Sequence, residues 1–143
     1  MSLLVVDASV AAKWFLPAAG ETLTDEALGL LRRYAKGEVR FAVPDLFWAE
    51  FANILWKAVR QGRVTATTAE LAIETMKGRN FPAVPSLELL EEAFIIATTF
   101  RRSVYDGLYV ALAVRLRAQL VTADERLAHA LAAHLPVKRL GSV

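Results

Sequence analysis

At 143 residues, 55% of them hydrophobic and 22% charged, the chain has the size and apolar content of one folded domain and too little charge for extended disorder. It contains no cysteine, which excludes disulfides and thiolate chemistry and fits a reducing compartment. The formal net charge is only +2, no apolar run approaches the roughly 20 residues that span a membrane, and an acid already at position 7 argues against a secretory leader, so the cytoplasm is the expected location.

Leu3–Val6 is short and wholly apolar, the pattern of a strand buried on both faces. Thr24-Asp25-Glu26 opens an amphipathic helix that Gly37 closes, with acids in its first turn and bases in its last. Arg40–Val43 reads as a second strand, and Pro44 is expected to start a long helix ending near Gln61-Gly62. A helix over about Thr67–Lys77 and a weak strand around Phe81–Val84 follow. Ser86 is expected to cap a helix through Phe100, and Ser103 another over Val104–Ala118. Gln119–Thr122, Asp124–Ala133 and Val137–Leu140 complete the pattern as strand, helix and strand. No repeat or Pro/Gly-rich linker divides the chain, so a single domain over 1–143 is expected.

Short apolar strands alternating with helices imply a parallel sheet covered on both faces, an α/β fold. Such sheets bind ligands beyond the carboxyl ends of their strands, where the strand order reverses. Asp7 ends the first strand and Asp124 lies just beyond the fourth.

Four carboxylates are therefore candidates: Asp7, Glu50, Asp106 and Asp124. Three also have an innocent explanation as helix caps. Asp7 could cap a helix from Ala8, Ser103-x-x-Asp106 matches a capping box, and Thr122-x-x-Glu125 matches another with Asp124 in the first turn. Glu50 has none, because it sits inside Phe47-Trp48-Ala49-Glu50-Phe51-Ala52, on a helical ridge with Leu46, Asn53 and Lys57. Burying it unpaired would cost several kcal/mol.

Four acids gathered at one edge of a sheet repel one another, and a divalent cation resolves the conflict. With no cysteine, and only His129 and His134 as nitrogen ligands, zinc is disfavoured. An all-oxygen set suits Mg²⁺, with Mn²⁺ as a substitute, and such an ion activates water against a phosphodiester. Withdrawing four of the 15 acids into a pocket leaves 17 basic side chains facing 11 acidic ones, a surplus of six spread around an acidic hole. A polyanion would be drawn to such a surface.

The ordered set Val-Val-Asp7-Ala-Ser9-Val, Pro44-x5-Glu50-x-x-Asn53, Ser103-Val-Tyr-Asp106-x-x-Tyr109-x-Ala-Leu-Ala and Leu-Val-Thr122-Ala-Asp124 resembles the PIN domain, and more narrowly the VapC toxins of toxin–antitoxin pairs. The resemblance covers nearly the whole chain. It implies a three-layer α/β/α fold with a five-stranded parallel sheet of order 3-2-1-4-5, and a Mg²⁺-dependent endoribonuclease. By position it makes Asp7 and Asp106 the principal metal ligands and has Glu50 and Asp124 complete the site. Ser9, Asn53 and Thr122 would orient these groups or contact the scissile phosphate. It also implies an RNA substrate, a cognate antitoxin and a homodimer. One departure is Gly107, where alanine is common; it is expected to loosen the first helical turn without touching the chemistry.

Two rival readings stay open. A haloacid-dehalogenase-type phosphotransferase would want a second Asp two residues after the first, where this chain has Ser9, and a receiver domain would want an Asp near Phe81–Ser86. A non-catalytic RNA- or protein-binding module on the same fold is the other. Finally, the helix from Pro44 to Gln61 is apolar over most of its circumference, with Trp48 and Trp56 outside the face made by Phe47, Phe51, Ile54 and Ala58. Such a helix is either enclosed by the neighbouring Thr67–Lys77 helix or faces a partner, and the VapC resemblance favours a partner surface at the two tryptophans.

Overall fold

Residues 2–143 are described by a computed structural model. Five short strands, β1 (Ser2–Val6), β2 (Val39–Pro44), β3 (Ala83–Val84), β4 (Gln119–Thr122) and β5 (Val137–Arg139), pair in parallel in the order β3-β2-β1-β4-β5. Seven helices connect them: α1 (Ala8–Ala12), α2 (Thr24–Ala35), α3 (Leu46–Arg60), α4 (Ala66–Lys77), α5 (Ser86–Phe100), α6 (Val104–Leu116) and α7 (Glu125–Leu131). The sheet grows from β1 to β3 in one direction, then restarts at β4 on the other side of β1. Right-handed crossovers in opposite directions put the two sets of helices on opposite faces, giving three layers. The reversal falls between the C-terminal ends of β1 and β4, where Val6 lies beside Val121.

Burial follows the sequence pattern. Val5, Val6, Leu120 and Val121 are fully enclosed, as the central strands of a doubly covered sheet must be. In α6 every residue from Gly107 to Ala113 is buried, because a helix apolar all round has no face to give to water.

Several expected boundaries move, each for a local reason. Pro44 does not start a helix but ends β2, since pairing with β3 continues through the Asp45 amide, which donates to the Val84 carbonyl at 2.9 Å. Ser86 is the first residue of α5 rather than its cap; its amide (3.0 Å) and its hydroxyl both donate to the Asp45 carboxylate, 41 residues away. Thr65 caps α4, accepting from the Thr68 amide at 3.1 Å. β3 is only two residues long, because Phe81 leaves the strand path to pack against Phe41, Phe47 and Tyr34. α7 stops at Leu131, and Asp124 stands outside it as its cap.

Gly107 is a larger correction. A Cβ at this position would lie 2.3 Å from the Ala93 carbonyl oxygen of α5 and 3.0 Å from the carbonyl carbon, so only glycine lets the two backbones approach this closely. The residue is a packing requirement beside Asp106, not a loosened turn.

Candidate active site

Asp7 leaves β1 at the reversal point, held there by its amide donating to the Val121 carbonyl at 3.0 Å. One carboxylate oxygen accepts from the Ser9 amide at 3.3 Å, which caps α1; the other accepts from the Thr122 hydroxyl at 2.7 Å. The Thr122 oxygen in turn accepts from the Asp124 amide at 3.0 Å, and the Ser9 hydroxyl accepts from the Ala123 amide at 3.2 Å. Thr122 is fully buried. Ser9 and Thr122 thus tie the end of β1 to the end of β4 and fix where Asp7 points.

The cap readings and the cluster reading both hold in part. The Ser103 hydroxyl accepts from the Asp106 amide at 3.1 Å, as in a capping box, but the Asp106 side chain turns away from the helix end to Arg102, which donates from Nε at 3.2 Å and from Nη2 at 3.1 Å. Asp124 is the true cap of α7, one oxygen accepting from the Arg126 and Leu127 amides, while its other oxygen lies 3.7 Å from the same Arg102 guanidinium. Thr122 does not close a capping box with Glu125; its hydroxyl serves Asp7 instead.

The electrostatics join these acids into one system. Burial pushes the Asp7 carboxyl above the ordinary range despite its hydrogen bonds from Thr122 and Ser9, and the charge of Asp106 adds to the rise. Glu50, half-buried on α3, is raised first by burial and further by the charges of Asp7 and Asp106. Asp106 is raised by burial, against the pull of Arg102, with Asp124 adding to the rise. Each acid feels another, so the set is under-neutralised by the single cation among them.

Two residues were missed in the sequence. Arg102 belongs to no motif in the sequence, one of two adjacent arginines at 101 and 102, yet it is the cation between Asp106 and Asp124. Tyr109 lies three residues beyond Asp106, so one helical turn carries both toward the cluster. Its hydroxyl is buried against the Glu50 carboxylate, and burial with the charges of Asp7 and Glu50 holds it far above the ordinary phenol range. Asn53, by contrast, is exposed on α3 and makes no hydrogen bond to Glu50 among the described residues.

Residues 4–132 match the PIN domain. The chain belongs to the PIN-domain family. Within that family it is 32% identical over 128 residues to the ribonuclease VapC3 of Pyrobaculum aerophilum, covering 87% of this chain and 92% of the relative. The crystal structure of PAE2754 from Pyrobaculum aerophilum superposes with a TM-score of 0.70 at 23% identity, over 99% of this chain and 85% of that one. A toxin–antitoxin complex from Klebsiella pneumoniae gives 0.62 at 17% identity, over 98% of both chains. These likenesses bear out the PIN-like fold and the VapC resemblance.

The chemistry of this PIN domain's donor set fits a hard divalent ion. Every candidate ligand is an oxygen, and three of the four carboxyls are raised, as expected where counter-charge is short. Among the described residues no three acidic or histidine side chains are drawn tightly enough to enclose an ion as they stand. The fit is therefore to an ion such as Mg²⁺, which keeps several waters in its shell and needs only one or two carboxylates directly. His129 and His134 are exposed, with His134 against Phe100, and neither joins the cluster.

Proposed function

We propose that this chain is a metal-dependent endoribonuclease, with Mg²⁺ as its ion and Mn²⁺ as a substitute, acting as the toxin of a toxin–antitoxin pair. The observation that carries the reading is the convergence of Asp7, Glu50, Asp106 and Asp124 at the reversal point of the sheet, three of them raised by burial and mutual repulsion. It is supported by membership of the PIN family and by a relative named a ribonuclease.

Asp7 and Asp106 are the principal ligands in this reading, and Glu50 and Asp124 complete the site directly or through water. A Mg²⁺ ion held by these carboxylates would supply positive charge to the phosphodiester and would make water a stronger acid. The chain's own residues do the rest. Thr122 and Ser9 hold Asp7 in one orientation, so little reorganisation remains when charge arrives. Glu50, its carboxyl raised by burial and by the charges of Asp7 and Asp106, is a stronger base than an ordinary carboxylate and is suited to accept a proton at its carboxylate oxygen. Arg102, partly exposed, neutralises Asp106 and Asp124 in part and offers a guanidinium beside the cluster to which a phosphate could bind. Asn53, exposed on the same helix as Glu50, is placed to meet the substrate rather than to orient Glu50.

The partner reading rests on the toxin–antitoxin complex of the same fold. An antitoxin can silence such a site by placing a cation among the acids, the position Arg102 already takes in part. Self-association remains the expectation for the exposed apolar surface. Trp56 is 52% exposed beneath the Arg60 guanidinium, but Trp48 packs on Phe47 and Phe81, so Trp48 is part of the core rather than of a partner surface. A second apolar stripe, Leu87, Leu90 and Phe94 with Ile95, lies exposed along α5. No described helix is long and apolar enough to cross a membrane.

The test is cleavage of RNA by purified protein with Mg²⁺, with Mn²⁺ and in excess EDTA, beside phosphatase activity on a generic ester. RNA cleavage that needs the metal, absent from Asp106→Asn, is the expected result. Cleavage that persists in EDTA, or ester hydrolysis alone, overturns the reading.

A further inference from the structure

One face of α3 carries Glu50, Ile54, Lys57 and Gln61, spaced so that all four project the same way. Opposite it, α1 and the helical turns that continue to Leu16 present Ser9, Ala12, Lys13 and Leu16. Between the two faces lies an open groove of about 370 Å³, within the range of ligand-binding clefts. Ser9 and Asp124 line one end, so the groove opens directly from the acid cluster. From Ile54 to Gln61 the α3 side of its wall runs about 10 Å.

The far end is cationic. Lys13 Nζ donates to one oxygen of Glu21 at 2.9 Å, and Arg63 Nη2 donates to the other at 2.9 Å. Lys13 is buried, an unusual place for lysine, and is kept there by this partner. Lys57, halfway along the wall, has no acidic partner among the described residues. Two cations thus share one carboxylate and Lys57 adds a third positive charge, while Leu16 and Ile54 supply an apolar surface in the same groove.

We propose that this groove seats the single-stranded RNA flanking the scissile phosphate, backbone phosphates on Lys57 and Arg63 and a base against Leu16 and Ile54, with Glu21, itself held by the buried Lys13, as the residue that positions Arg63. The proposal rests on the reading that the acid cluster cleaves RNA. Repulsion by the acids at one end and attraction by the cations at the other sets the direction in which a strand lies, so the acids meet one phosphate only where a metal compensates them.

Fluorescence anisotropy with a labelled oligouridylate in EDTA separates binding from cleavage. Lys57→Gln and Arg63→Gln should each weaken binding several-fold and lower the slope of log affinity against log salt by about 0.7, the value for one phosphate contact on a single strand. Lys36→Gln, at the exposed end of α2, removes the same charge and should change neither. Lys57→Gln should keep the wild-type Tm, since that side chain is exposed and unpaired. With Mg²⁺ present, Lys57→Gln should raise KM with kcat preserved. Asp106→Asn should bind RNA in EDTA at least as tightly as wild type, because it removes one of the acids that repel the strand, so loss of cleavage there is separable from loss of the groove. Equal affinities and slopes for wild type, Lys57→Gln and Arg63→Gln overturn the proposal, whatever the outcome for cleavage. So does a wild type that does not bind the oligonucleotide.

Discussion

Glu21 and Glu50 are both glutamates drawn partly out of water, Glu21 in the groove between α1 and α3 and Glu50 in the acid cluster. Burial raises both. At Glu21 the hydrogen bonds and charges of Lys13 and Arg63 outweigh it, and the carboxyl ends below its ordinary range. At Glu50 the neighbours are Asp7 and Asp106, which add to the rise. The lesson is that the company a carboxylate keeps, not its depth, separates a strut from a working group: Glu21 pins the loop after α1 to the turn after α3, with Arg63 also donating to the Ala19 carbonyl at 3.4 Å. Glu50 is held in a repulsive cluster that the fold alone has no reason to keep.

The sharpest way to break this contrast is to neutralise one member of each set. Asp7→Asn or Asp106→Asn should reduce metal-dependent RNA cleavage by about 10³-fold or more, while the metal-free Tm stays level or rises. Glu21→Gln should lower Tm. Wild type should gain about 2.7 kcal/mol of stability with Mg²⁺ a hundredfold above its Kd, Glu21→Gln should gain as much, and Asp106→Asn far less. An equal gain for Asp106→Asn, measured by thermal melts, would make Asp106 only a helix-cap residue.

Thr122→Val comes next in size. Removing the hydroxyl that orients Asp7 should weaken Mg²⁺ binding by about 10- to 100-fold, read by titration calorimetry, and Thr122→Ser should restore it. An unchanged Kd for Thr122→Val would mean that Asp7 needs no orienting partner.

Acid–base behaviour gives a third test. Asp7, Glu50 and Asp106 have raised carboxyls in the folded chain, so each contributes stability that is fully present below its unfolded pKa and is lost as pH rises through the folded one. Glu21 has the opposite sign: its contribution is present above the ordinary carboxylate range and lost as pH falls through the lowered value. In EDTA, then, the Tm advantage of Asp7→Asn over wild type should widen as pH rises through the raised range. The Tm deficit of Glu21→Gln should shrink as pH falls below the ordinary range. Parallel Tm curves for wild type and both variants would refute the assignment of opposite shifts.

Gly107→Ala should cost about 1–3 kcal/mol of stability as α6 is driven off α5, with cleavage falling because Asp106 moves with the helix. A Gly107→Ala protein that melts and cleaves like wild type would show that the close backbone approach is dispensable. The smallest expected effect is at Arg102. Arg102→Gln removes the cation that competes for Asp106 and Asp124, and should tighten Mg²⁺ binding a few-fold while lowering the metal-free Tm slightly.

Much of this was legible in the chain. Parallel architecture follows from short apolar runs alternating with helices, and the place of the site from Asp7 and Asp124 standing just past two of those runs. Glu50 announced itself by lacking any cap to justify it. What the sequence hid was long-range. No local pattern shows that Asp45 caps a helix 41 residues on, that Gly107 meets the backbone of Ala93, or that one arginine of the Arg101-Arg102 pair turns inward. Local capping motifs misled at Thr122, where a partner from the first strand outcompeted the helix end for the hydroxyl.

The bond between Thr122 and Asp7 joins residues 115 apart in the chain. β1 occupies the middle of the sheet but finds its β4 neighbour only after most of the chain has been made. A growing polypeptide therefore carries Asp7 out of the ribosome long before anything orients it, and Asp106 and Asp124 follow near the end. On the proposed reading, a protein built this way would be harmless to RNA throughout its own synthesis, including that of the message being read, and would become active only on completing its sheet.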